Sequence, residues 1–283
     1  MEKTGHLHDQ FTDRELANEI WYWYLNGENR AGFPEFYLRG LHRIKTLHGL
    51  LPGRPRCLEC DAPMGGWLIR PLGYRPSALT PRLCNRCENM ILKHEGGAEV
   101  ELSLLFADIR GSTSLAEQKG TREYTEFIQR FYKVAAGLLI ERNALVNRLI
   151  GDQAIGMFVP AFSGSDHAAE AIDAALEILR RTGHGDPQGP WAPVGIGVHT
   201  GSAYVGSVGS SEGVKEIAVL GNAANLCARL SSKAADGELL ISEQAATSAK
   251  LTERQLEKRR LKLKGITKQV NVRVLTVTPS AAS

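Results

Sequence analysis

The sequence predicts an α+β fold, in which strands and helices mix along most of the chain. From residue 99 onward, short strand-like runs are interleaved with longer runs whose apolar residues recur at helical spacing. A Gly151-Asp152 pair, followed by Gln153, separates two apolar runs, as a tight hairpin does. The segment before this region is different in kind: it is rich in Gly and Pro and holds Cys57, Cys60, Cys84 and Cys87.

Three zones follow. Residues 1–52 are an N-terminal helical region. Its first helix is expected over 12–26, with Thr12 as N-cap, Glu15 three residues later, and Gly27 as the stop. Leu16, Ile20, Trp23 and Tyr24 make one apolar stripe, and the Trp21–Tyr24 aromatics are expected in a core or a dimer seam. A second helix is expected over 34–50, carrying Leu38, Leu41, Ile44, Leu47 and Leu50, and Pro52-Gly53 ends it. Residues 53–97 read as loops and short strands around the cysteines, with a linker helix starting after Cys87. Such a segment has little apolar mass and needs an external tie to hold its shape.

Residues 98–283 carry the mixed pattern. A strand over 100–106 precedes a helix over 122–141 with Tyr124, Phe127, Ile128, Phe131, Val134 and Leu138 on one face. Residues 144–150 and 154–159 flank the Gly-Asp turn, and Asp166 is expected to cap a helix reaching Arg181. Strands at 194–199, 203–208 and 214–220, a helix at 222–234, a strand at 238–242 and strand-like runs at 260–263 and 270–277 complete the order. The series βαββαβ with appended elements predicts a ferredoxin-like antiparallel sheet with helices on one face.

Composition narrows the function. Charged residues are 23% and the net charge is +3, too little to argue for nucleic acid or an acidic membrane surface. No apolar run approaches the ~20 residues of a membrane helix, and the polar start leads into no signal-peptide core, so a cytoplasmic location without membrane contact is expected. In that reducing setting two CxxC pairs suggest metal or redox chemistry.

Two acids then stand out. Asp108 ends a strand, and Asp152 sits at the tip of the hairpin; if those strands are neighbours, the two meet at one end of the sheet. Paired carboxylates suit Mg²⁺, which takes one or two of them together with phosphate oxygens and water. Gly111, Ser112 and Thr113 lead into a helix, and their amides are placed to hold phosphate oxygens.

Five blocks in order carry a family resemblance: Phe-Ala-Asp-Ile-Arg-Gly-Ser-Thr at 106–113, Arg-Leu-Ile-Gly-Asp at 148–152, Gly-Val-His-Thr-Gly at 197–201, Gly-Asn-Ala-Ala-Asn-Leu-Cys-Ala-Arg at 221–229 and Leu-Lys-Gly at 263–265. This arrangement resembles the class III adenylyl and guanylyl cyclases over about residues 99–277. The resemblance implies that Asp108, Asp152 and the Ile109 carbonyl hold two Mg²⁺ or Mn²⁺ ions per site. It implies that Asn225 orients the ribose, Arg229 stabilises the transferring phosphoryl group, and Lys264 contacts the terminal phosphates. Asn225 and Arg229 are four apart, so one helix face presents both. The reaction implied is attack of the 3′-hydroxyl of a nucleoside triphosphate on its α-phosphate, with pyrophosphate leaving. Family members work as head-to-tail dimers in which the aspartates and the Asn/Arg pair come from different subunits, so this single-copy chain is expected to form a homodimer.

The base-reading positions depart from both family patterns. Adenylyl cyclases typically carry Lys with Asp or Thr, and guanylyl cyclases Glu with Cys or Ser; here the positions hold Arg148 and Ala218. Arg148 keeps the cation of the adenylyl pattern, which favours ATP and an adenylate cyclase producing cyclic AMP. Arg also suits guanine O6, and Ala218 gives the base no hydrogen bond, so a guanylate or relaxed-specificity cyclase and a catalytically silent signalling module are the alternatives.

Cys57, Cys60, Cys84 and Cys87 read first as a structural Zn²⁺ site, with an iron–sulfur cluster or a redox dithiol as alternatives. The segment resembles the zinc-ribbon-like modules that precede some bacterial cyclase domains. Four cysteines suffice for a tetrahedral ion, so His42 and His48 are expected to be solvated or packed. Cys227 reads as a small buried residue, and His199 as structural.

Overall fold

The computed structural model describes residues 13–28, 35–65, 70–77, 80–93, 95–209, 215–251, 256–266 and 268–277. The chain clusters into two compact units, one of residues 1–100 with 204–219 and one of 101–203 with 220–283.

In the first unit, helix α1 (Asp13–Asn26) buries Ala17, Ile20, Trp21, Tyr24 and Leu25. Trp21 meets Tyr24 edge to face, with ring centroids 5.8 Å apart, so these aromatics are core. The expected cap Thr12 lies outside the described residues. Asn18 of α1 accepts a hydrogen bond from the Gly97 amide at 3.2 Å. Helix α2 (Glu35–Gly49) leaves Ile44 and Leu47 exposed. Helix α3 (Asn85–Lys93) starts two residues before Cys87, not after it, because the Glu88 amide donates to the Cys84 carbonyl at 3.1 Å and winds the Cys84–Cys87 turn into the helix.

Strand β1 (Gly97–Ile109) starts in the first unit and from Glu101 belongs to the second, where helix α4 (Ser112–Glu141), kinked at Gly120, follows it. Strands β2 (Leu145–Ile150) and β3 (Gln153–Phe158) form the expected hairpin, with Gly151 at φ 62° in its turn. A short helix α5 (Pro160–Ser163) and helix α6 (His167–Arg181) follow. Asp166 stands at the N-cap position of α6, but its side chain makes no capping hydrogen bond. Strand β4 (Val194–Gly209) is one continuous 16-residue strand, where the sequence suggests two. Its outer part pairs with β5 (Lys215–Leu220), and both of these segments belong to the first unit. Helix α7 (Asn222–Lys233), β6 (Glu238–Ser242), α8 (Glu243–Ser248), β7 (Glu257–Leu261) and β8 (Val270–Thr276) complete the chain.

The sheet order is β2-β3-β1-β4-β6-β8-β7. Its first four strands have the ferredoxin-like order, and β6 is appended in parallel to β4, so the sheet is mixed and not wholly antiparallel. The helices are not confined to one face. Leu239 and Ile241 of β6 join a core with residues of α4, α6 and α8. Leu240, between them, packs in a second cluster with Leu230 and Ala234 at the end of α7. The reason lies in β4: Gly197 presents no side chain toward α7, and a Cβ there would stand 2.4 Å from the Ser231 amide nitrogen. Alternating glycines thus let a helix backbone lie directly on the strand.

Candidate active site

Strand pairing brings the two acids together. Asp108 of β1 is opposite Gln153 of β3, and the Ile109 amide donates to the Asp152 carbonyl at 3.1 Å. Strand β1 ends and β3 begins here, so Asp108 and Asp152 stand side by side at one end of these neighbouring strands, each partly exposed. Burial pushes the Asp108 carboxyl up from the ordinary carboxylate range; Arg110 opposes that, and the negative charge of Asp152 adds to it. Two carboxylates this close favour a bound cation, and oxygen donors at a strand end suit a hard divalent ion.

The flanking residues hold this geometry. Gly111 caps α4 at φ 65°, a left-handed conformation that glycine adopts without strain. Its carbonyl accepts from the Leu115 amide, while Ser112 and Thr113 occupy the first turn of the helix, where amide hydrogens are free of intrahelical partners. Twenty residues on, the Tyr132 hydroxyl donates to the Gly151 carbonyl at 2.8 Å and steadies the turn that carries Asp152. Arg110 makes an ion pair with the Asp108 carboxylate, and its Nε donates to the Asp108 main-chain carbonyl at 3.2 Å. Sequence reasoning passed over Arg110 and Tyr132. A cation two residues after a metal-type acid was the available signal for the first; the second is a long-range contact with no local mark.

The remaining predicted residues are placed as follows. Asn225 and Arg229 are both exposed on α7, one turn apart. Arg148 lies on β2 with its backbone opposite Ile155, and its side chain lies outside the described residues. Ala218 is half-buried on β5 in the first unit, and Lys264 is exposed in the turn before Gly265. Cys227 is fully buried, its thiol donating to the Leu104 and Gly197 carbonyls at 3.2 and 3.3 Å. His199 is buried, and its Nδ1 meets the Ser242 hydroxyl at 2.8 Å.

In the first unit the four sulfurs of Cys57, Cys60, Cys84 and Cys87 lie within 4.8 Å of one another, all buried. Cys60 and Cys84 are 3.7 Å apart at sulfur. A tetrahedral ion with bonds of about 2.3 Å to sulfur sets its ligands about 3.8 Å apart, so the donor set fits one. Each pair sits on a tight turn: the Asp61 amide donates to the Cys57 carbonyl, and the Glu88 amide to the Cys84 carbonyl. Hydrogen bonds from Cys57, Cys60 and Cys87 hold Cys84 far to the thiolate side. His48 is not a ligand; its Nδ1 meets the Cys60 carbonyl at 2.8 Å and its ring packs edge to face on Tyr74. A separate cleft of about 660 Å³ in this unit, lined by Arg14, Lys93 and Tyr204 among others, contains none of the residues the sequence singled out.

Residues 97–276 match the family model described as the adenylate and guanylate cyclase catalytic domain. The chain belongs to that family. Among curated relatives, the Mycobacterium tuberculosis protein Rv1318c is 30% identical over 161 residues, which cover 56% of this chain and 29% of that one. A second M. tuberculosis protein, Rv1319c, is 29% identical over the same length. The chain thus spans under a third of the length of these relatives. Solved structures with the same fold include the adenylyl cyclase CyaB from P. aeruginosa, at TM-score 0.55 and 21% identity over 63% of this chain and 95% of that one. They include equally the guanylyl cyclase Cya2, at TM-score 0.53 and 24% identity over 64% of this chain and 94% of that one. Among the described residues, no helix is long and apolar enough to cross a membrane.

Proposed function

We propose that the chain is an adenylate cyclase that converts ATP to 3′,5′-cyclic AMP and pyrophosphate at sites shared between two copies. The observation that carries this is the convergence of Asp108 and Asp152 at the neighbouring ends of β1 and β3, beside the first-turn amides of Ser112 and Thr113. A pair of Mg²⁺ or Mn²⁺ ions, held by Asp108, Asp152 and the Ile109 carbonyl, supplies charge neutralisation at the attacking and leaving oxygens. The amides at the start of α4 and Lys264 take the terminal phosphates. Asn225 orients the ribose so that its 3′-oxygen lines up with the α-phosphorus. Arg229 stabilises the charge that develops there as the bond to the β-phosphate breaks and pyrophosphate leaves. Exposure of Asn225 and Arg229 on α7 supports their serving a site on a second copy.

Arg148 supports ATP, since it keeps the cation of the adenylyl pattern. Half-buried Ala218, which has no side-chain donor or acceptor, supports relaxed choice between ATP and GTP as the second reading. The catalytic domain is taken as 98–283, preceded by the helical region 1–52 and a zinc-binding module over 53–97. That module is regulatory or dimer-forming, and the protein works in the cytoplasm, where its nucleotide substrate is abundant.

The test incubates purified protein with Mg²⁺ or Mn²⁺ and either ATP or GTP. Cyclic AMP that forms from ATP faster than cyclic GMP forms from GTP, and falls at least ~10³-fold in Asp108→Ala, supports the reading. Equal rates with both nucleotides support relaxed specificity, and no product with any pair of metal and nucleotide overturns the enzyme.

A further inference from the structure

Arg110 occupies a position that a metal-binding carboxylate does not need filled. Its Nη2 pairs with Oδ2 of Asp108, and this oxygen is one of those the proposed metal would take. The same guanidinium has a second set of acceptors. Nη1 lies 3.4 Å from the Ser232 carbonyl and 3.5 Å from the Ala234 carbonyl, at the C-terminal end of α7. Carbonyls in the last turn of a helix have no intrahelical partner, and they carry the negative end of its dipole. The main chain of Arg110 is itself fixed, its amide donating to the Pro193 carbonyl at 2.8 Å. The side chain is therefore a cation pinned between two anionic poles, Asp108 and the end of α7.

We infer that Arg110 is a built-in competitor for the catalytic metal. It neutralises Asp108 beside Asp152 until the metal arrives, then yields Oδ2 and stays on the Ser232 and Ala234 carbonyls. The inference rests on the reading of Asp108 as a metal ligand. Arg110 is in this sense a positioning residue: it sets how much metal the site requires and ties that binding to the end of the helix that carries Asn225 and Arg229. The charge argument fixes a sign. Arg110 repels a divalent ion and blocks one of its oxygens, so removing it tightens metal binding. A purely structural Arg110 gives the opposite sign, because loss of its five donors loosens the strand end.

The experiment measures Mn²⁺ binding to the full chain without nucleotide, by the electron paramagnetic resonance of free Mn²⁺. Arg110→Gln is expected to bind Mn²⁺ about ten-fold more tightly than wild type, a size that one unit charge a few ångströms away readily supplies. Arg110→Lys keeps the charge but loses the fork, and is expected to fall between the two; it reads the same sign if the glutamine variant does not fold. Unchanged or weaker binding in a folded variant overturns the inference. Asp108→Asn separates the two levels: if it leaves Mn²⁺ binding of the wild type intact, the metal assignment itself fails, whatever Arg110 does.

Discussion

Asp108 and Tyr132 show how single side chains set the site. Asp108 is raised in pKa by its own burial, with the Arg110 guanidinium opposing that shift and the charge of Asp152 adding to it. Tyr132 contributes one hydrogen bond, to the Gly151 carbonyl, but it spans from the helix after Asp108 to the turn before Asp152. Tyr132→Phe is expected to cost about 1 kcal/mol of stability, a typical net value for one hydrogen bond, and to lower Mn²⁺ affinity by freeing the hairpin tip. Denaturant unfolding and the same metal titration check both. His199 gives a pH prediction. Burial pushes its pKa down to about 4, so the folded protein binds it neutral while the unfolded chain protonates it near 6.5. Its contribution is present above about 6.5 and is lost as pH falls through 4, by about 3 kcal/mol in all. Unfolding curves at pH 7 and pH 4.5 are expected to show this loss in wild type and to lack that share of it in His199→Gln.

At the scale of elements, glycine decides where α7 sits. Gly197→Ala places a Cβ against the Ser231 nitrogen and the Cys227 carbonyl, both backbone atoms of α7, and is expected to destabilise by about 3 kcal/mol or more. Gly111→Ala meets nothing within 4 Å and bears only the left-handed strain of φ 65°, about 1 kcal/mol. Calorimetry of the two variants separates contact from conformation. Most elements were legible from periodicity: α6 ends at the expected Arg181, and β6 spans the expected 238–242. The Gly-Asp turn told where Asp152 belongs because a two-residue hairpin fixes register locally. The errors share a cause. Gly201-Ser202 looks like a turn, yet it lies within the continuous strand β4, where the sheet overrides local propensity. The position of α7 on the opposite face was written in Gly195 and Gly197, but a missing side chain gives no hydrophobic period to read. In the first unit, α3 begins at Asn85, inside the second knuckle, because the Glu88 amide donates to the Cys84 carbonyl and makes the Cys84–Cys87 turn the first turn of the helix. Replacing Cys57 and Cys84 with Ser is expected to abolish one bound zinc per chain, read by elemental analysis; unchanged zinc contradicts the assignment.

At the scale of the whole molecule, the family and the fold are established, while the partnership between copies is the account's central claim. The sequence motifs single out Asp108, Asp152, Asn225 and Arg229, but motif order says nothing about which copy completes which proposed site. Asn225 and Arg229 stand exposed on α7, and the aspartates stand at the end of β1 and β3. The most direct test mixes two inactive variants, Asp108→Ala and Arg229→Ala, and follows cyclic nucleotide formation with ATP and Mn²⁺. If each site takes its aspartates from one copy and its arginine from the other, half of the randomly paired dimers carry one intact site, and about a quarter of wild-type activity returns. A mixture as silent as its two components, at every ratio and beside an active wild type, contradicts the shared site.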